Sequence, residues 1–225
     1  MQDDFLDNVA LALPNYLTVE DKKKLLGQLR QFPDCTDYYG AIPGETEPVQ
    51  GDGWRGLCAI DFASGARELV LGLVVSNSCD IARARDPDQD QRLLFAPVLD
   101  LDRYLNFLRE SGKAHDYIVS TSHNIRCQYT DRLFYLPAMH GLFGESVVPL
   151  DAIHSQPLSS IDPNAISRVW TLSTYGWYML LFKLSIHFTR MSEAVSRASY
   201  DDRQTKNERD PGGAAAAAPL NPNTP

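Results

Sequence analysis

Two runs of Val and Leu dominate the first half of this chain, Leu69–Val75 and Leu93–Leu99, each of strand length. Residues 76–92 between them are polar and charged. Buried strands that carry a long polar loop are a common way of mounting a site on a rigid scaffold. Upstream, Trp54–Phe62 predicts a strand that returns as residues 68–76, with Ala63-Ser-Gly-Ala66 as the turn and Gly65 free to take positive φ. A third strand is predicted over 92–99, then two short ones at Arg132–Leu136 and Ser146–Leu150. A short strand is also predicted at Tyr38–Ile42, ahead of a loop over 43–53 rich in Pro, Gly and Glu.

Helical periodicity frames these strands. Residues 3–13 predict a short helix that stops before Pro14. Thr18-Val-Glu-Asp21 is a capping-box type of start, and Leu25, Leu26, Leu29 and Phe32 then share one face, which predicts a helix over 19–32 ended by Pro33 and Asp34. Asp100 caps a helix with Leu101, Tyr104, Leu105 and Leu108 at helical spacing, closed by Gly112. A further short helix is predicted around 117–127. From Asn164 to Arg197 the pattern predicts one long helix, apolar on more than one side, with Gly176 marking a kink or a close approach. Beyond Ser199 the chain turns polar and reads as a disordered tail, which leaves residues 1–198 as one expected globular domain. The class this predicts is α+β, a small curled β-barrel with N-terminal helices, an inserted helix and a long C-terminal helix.

Charge narrows the function classes. Across 225 residues the 29 Asp and Glu outnumber the 21 Lys and Arg, a net charge of -8, which counts against tight non-specific binding to nucleic acid. The four cysteines, Cys35, Cys58, Cys79 and Cys127, are widely spread without a CxxC pair, and the start MQDDFLDNVALALP has acids where a signal peptide needs basic residues. A reduced, cytoplasmic protein is expected. The run Trp170–Phe188 contains Lys183 and several hydroxyl residues, too polar to span a membrane, so it predicts a buried helix or a homodimer face. Its aromatic side chains read first as core or dimer contacts and second as a groove for a protein partner.

Candidate chemistry gathers after the first apolar run, in Ser76-Asn77-Ser78-Cys79-Asp80. In one reading Asp80 is a base or orienting group, Cys79 a thiol, and Arg83 and Arg85 hold an anion, with Asn77 assisting. In the other, Asn77 and Asp80 make turn hydrogen bonds and Cys79 is a small buried residue. His140, in a Gly-flanked loop, and His154 are candidates to approach the same place if the strands close. Cys79 with either histidine lacks the spacing of a zinc site, so no metal or other cofactor is expected. His187, on the long helix, reads as a packed residue. Arg55 beside Trp54 reads as a nucleic-acid contact with stacking, or as plain packing with a solvated cation. The loop 86–91, DPDQDQ, is acidic and would repel RNA.

The order of pieces also resembles a known family. Gly51-Asp52, LGLVVSN (71–77), FAPV (95–98) and ESVVPLDAIHSQPLS (145–159) follow one another as in MazF/PemK-type proteins, a resemblance over about residues 50–161. It implies an SH3-like barrel, and it implies cytoplasmic, usually dimeric RNA endonucleases that cut without a metal and are held by antitoxins. Leu71 and Gly72 stand where that family has Arg-Pro, and Leu99 and Asp100 where it often has Ser or Thr. Those are the places of its catalytic arginine and hydroxyl. Two functions follow as expectations. The first is a non-catalytic relative that binds or regulates a protein partner in a stress or defence system. The alternative is a toxin-like endoribonuclease in which Asp80 orients or deprotonates the substrate 2′-OH and Arg83 or Arg85 neutralises the phosphate.

Overall fold

Thr18 opens helix α1 (Val19–Arg30) as predicted: its Oγ1 accepts from the Asp21 amide at 3.1 Å, and Leu25 and Leu29 are buried on the face the periodicity marks. The computed structural model describes residues 18–32, 34, 37–41, 47–78, 81, 91–139 and 141–189. The predicted helix at 3–13, the end of the long helix beyond 189 and the tail lie outside the described residues.

The predicted hairpin forms strands β1 (Gly53–Ile60) and β2 (Arg67–Val74), with Gly65 at φ +70 in the turn. Strands β3 (Arg92–Pro97) and β4 (Leu99–Asp100) follow, then helices α2 (Leu101–Glu110) and α3 (His115–Arg126). Asp100 caps α2 by accepting from the Arg103 amide at 2.8 Å. Strands β5 (Leu133–Leu136), β6 (Ser146–Pro149), β7 (His154–Pro157) and β8 (Ser167–Trp170) lead to the last helix, α4 (Thr174–Thr189).

The result is α+β, with two antiparallel sheets: five strands in the order β7-β3-β2-β1-β8 and three in the order β4-β6-β5. One extended segment serves both sheets. β3 pairs with β2 up to Pro97, the Val98 amide donates to the Leu71 carbonyl, and Leu99 then pairs with Val147 of β6. Alternation along the strands divides the apolar residues. Leu73 and Ala96 join Trp170 in the main core under α1 and α4, while Val74, Phe95, Leu57 and Trp54 form a second cluster on the opposite face. Leu101, Leu105, Ile118 and Ile125 pack the α2–α3 hairpin against Val147.

Three expectations need correction. The barrel does not close. A bulge between Arg55 and Leu57, with Gly56 at φ +92, curls β1 until the Cys58 amide reaches Gln156 Oε1 of β7 at 2.9 Å. That link is a side chain in place of a ladder, so the five-stranded sheet curls but stays open. The strand expected at Tyr38–Ile42 is a single bridge, Tyr39 to Leu172, and Ile42 lies outside the described residues. The long helix begins ten residues late, at Thr174. Ser167–Trp170 instead forms an edge strand on β1, and Ser173 starts the helix by accepting the Gly176 amide on its Oγ at 3.1 Å. Strand β7 was not foreseen.

Much of α4 is spent on this core: Tyr175, Tyr178, Leu180 and Leu184 are buried, while Ile186 and Phe188 are exposed. Among the described residues no helix is long and apolar enough to cross a membrane.

Gly53 and Gly176 permit the closest approaches among the described glycines. A Cβ on Gly53 would fall in the indole of Trp170, and one on Gly176 would meet the Tyr38 carbonyl, the close approach foreseen for that residue. Gly176→Ala should therefore destabilise the protein by about 1–3 kcal/mol, against helix propensity, because backbone has to move. Gly27→Ala, in α1 with nothing within 4 Å of the new methyl, should stabilise it by about 0.5–1 kcal/mol. Urea unfolding of the two variants measures this pair of opposite signs.

Candidate functional site at the polar end of the five-stranded sheet

β2 ends at Val74, and the chain next presents Val75-Ser76-Asn77-Ser78, the start of the region the sequence marked. Ser76 is buried, and its Oγ accepts from the Leu94 amide at 2.6 Å. Asn77 is exposed, and its carbonyl accepts the Ile81 amide at 3.2 Å, which turns the chain after the strand. Ser78 Oγ accepts from the Gln50 amide at 2.9 Å. Gln50 in turn donates through Nε2 to the Val75 carbonyl at 2.8 Å and accepts at Oε1 from Trp177 Nε1 at 3.1 Å. The loop before β1 is thus laced to the end of β2 and to α4.

Asp52 is the centre of that loop and is fully buried. Its Oδ2 accepts from the Val49 amide at 3.0 Å and from Trp54 Nε1 at 3.1 Å, and its Oδ1 accepts from Thr171 Oγ1 at 2.8 Å. Arg168 of β8 places Nε 2.9 Å from Oδ2, with both side chains withdrawn from solvent. The guanidinium also lies 5.0 Å from the Trp54 ring centroid, and its Nη2 donates to the Glu47 carbonyl. Removing either partner leaves a buried charge without its counter-ion, so Asp52→Ala or Arg168→Met should each cost about 3–5 kcal/mol. The double variant Asp52→Ala with Arg168→Met should recover part of that loss, and a double-mutant cycle read by urea unfolding tests the coupling.

Of the residues singled out by sequence, Cys79, Asp80, Arg83, Arg85 and His140 lie outside the described residues. Arg55 and Asn77 are described and exposed, on β1 and after β2 respectively. Arg55 stands directly across the ladder from Leu71. Gly72, where the resembled family has proline, has its Cβ space filled by the Phe95 ring, 2.6 Å from a built Cβ. His154, half-buried, stacks on Phe95 at 5.5 Å, and His187, half-buried, lies against the exposed Phe188. Among the described residues no three His, Cys, Asp or Glu side chains gather as metal ligands do.

No family model matches this chain, and no curated protein matches it. Among solved structures it is similar to the crystal structure of MazE-MazF (Form-II) from Deinococcus radiodurans, at 15% identity and a TM-score of 0.33, covering 65% of this chain and 98% of that one. So distant a likeness says nothing of what this chain binds or cuts.

A second buried polar centre joins α4 to the end of α3. Lys183 Nζ donates to the Gln128 carbonyl at 3.0 Å and to the Thr130 carbonyl. Gln128, at φ +56, uses its side-chain amide to bond both backbone groups of Tyr135, at 2.8 and 3.1 Å. Burial pushes Lys183 down to about 8, Asp131 opposing in part. The folded state therefore binds fewer protons than the unfolded chain between that value and the ordinary lysine range, and stability rises with pH there. Burial raises Tyr39 and Tyr135, so ionisation of tyrosine in the unfolded chain reverses the trend above about pH 10. The unfolding free energy from urea titrations should climb by about 1–2 kcal/mol from pH 8 to 10 and then fall. Lys183→Met should abolish the climb.

Proposed function

We propose that this chain is a protein-binding or regulatory module of a stress or defence system, of the non-catalytic MazF/PemK-like kind that its motif order resembles. The observation that carries the reading is the use of the polar side chains at the sheet end. Asp52 holds Val49, Trp54, Thr171 and Arg168; Ser76 holds the Leu94 amide; Ser78 and Gln50 hold each other's segments. A general base or a transition-state donor needs a lone pair or proton aimed at substrate. These groups direct theirs at other groups of the protein itself, backbone and side chain alike, as a clamp does. Leu71 lies against the main core, where an apolar residue suits a packing role.

A second reading, a metal-independent RNA endonuclease, draws on Arg55. That exposed cation sits across the ladder from Leu71, about 5 Å away between Cα atoms, near where the resembled family keeps its catalytic arginine. Asp80, Arg83 and Arg85 follow Asn77 in the chain and would complete such a site.

Induced expression of the full chain beside an Arg55→Ala, Asp80→Ala, Arg83→Ala variant separates the two. Normal growth and intact total RNA at matched soluble levels are expected for both proteins. Growth arrest with discrete RNA fragments from the wild type, lost in the variant, would replace the binding reading with the nuclease.

A further inference from the structure

Helices α2 and α3 leave an open groove of about 370 Å3 between them. Its floor is aliphatic: Leu105 and Ile118 are nearly buried, and Val119 is half exposed above them. Its ends are cationic or donor-rich. Arg109, in the last turn of α2, and His115, the first residue of α3, stand at one end; His123 and Arg126, in the last turn of α3, stand at the other. Among the described residues no carboxylate lines it. Glu145 lies beside it and holds Arg126 in place through two bonds of 2.7 Å, while Arg126 Nη1 donates to Ser122 Oγ at 2.6 Å. Arg109 donates to Asn106 along its own helix, and His123 rests 3.7 Å from Cys127 Sγ.

We propose that this groove docks an acidic helical segment of a partner protein, with carboxylates at both ends and an aliphatic side chain between them. The inference rests on the protein-binding reading above. His115 and His123 are eight residues apart on one helix, about 12 Å along its axis. An incoming helix meets that spacing with Asp or Glu at positions i and i+8, and places Leu at i+4 over Leu105 and Ile118. The charge pattern is complementary where it touches, in a chain whose net charge is -8. Single-stranded RNA fits less well, because the floor offers aliphatic surface in place of the aromatic faces on which bases stack.

The test is selection of a helical peptide display library on the full chain, followed by fluorescence anisotropy of the synthesised winners. Arg109→Glu with His123→Glu places a carboxylate at both ends, at exposed positions, and circular dichroism checks its fold. Val119→Arg, which blocks the middle, is the second variant. Expected are winners with acids spaced i, i+8 around Leu or Ile, whose affinity falls at least tenfold with either variant and weakens with added salt. Winners that bind the wild type and both variants equally would overturn the groove while leaving a protein-binding module. No enrichment of the acidic pattern would overturn the proposal too. A 12-nucleotide single-stranded RNA that binds the wild type and is lost with the same variants would make the groove a nucleic-acid site. RNA cleavage in cells speaks to the parent reading alone.

Discussion

A carboxylate with no exposed surface is the constraint around which the end of the large sheet is organised. Asp52 cannot be buried alone, because an isolated charge in a low-dielectric interior loses several kcal/mol of hydration. Its partners come from well-separated parts of the chain: Val49 and Trp54 on either side of it, Arg168 and Thr171 more than a hundred positions later. The backbone of Asp52 adds to this, since its carbonyl accepts from the Val74 amide at 2.8 Å. One residue thereby fixes where β1 starts, where β2 stops and where β8 lies. Because Ser173 opens α4 two residues after Thr171, the position of the last helix follows as well.

Close packing on either side of this node explains the rest of the architecture. Trp170 lies where a side chain on Gly53 would be, and α4 comes against the Tyr38 carbonyl at Gly176, so small residues set both the β1–β8 and the helix approaches. The bulge at Gly56 curls β1 toward β7, and the break at Val98 hands the chain to the smaller sheet. A sheet curled by one bulge and joined across its gap by the Gln156 side chain keeps an opening that a closed ladder would not.

The sequence was legible where local chemistry decides structure. Thr18 and Asp100 capped their helices, Gly65 turned the hairpin, and Leu25, Leu29, Leu101 and Leu105 marked faces that are buried. It was misread where tertiary partners decide. Ser167-Arg-Val-Trp continues a helical pattern on paper, but Arg168 is drawn to Asp52 and Trp170 to the space over Gly53, and both are satisfied only in an extended edge strand. His154-Ser-Gln-Pro carries almost no strand signal and pairs because β3 offers an edge. Gly51-Asp52 was read as a motif and not as the polar centre, since nothing local announces that the carboxylate will be buried. The groove of α2 and α3 went unnoticed because its histidines, unlike a motif, gain meaning only when Arg109 is brought opposite them.

The two polar regions differ in how their groups are used, and that difference bears on function more than residue type does. At the sheet end, amides, hydroxyls, Asp52 and Arg168 are turned inward on the protein. In the helical hairpin, His115, His123 and Arg109 edge an aliphatic floor that nothing in the described chain covers. Range also matters. At physiological salt a charge is felt over only about 8 Å, so a short segment seated in the groove meets its cations and little of the acidic surface beyond. A longer polyanion would extend past the groove and carry its phosphates over that surface at every step. An acidic protein that concentrates donors in one small groove is therefore suited to a compact, sparsely charged partner.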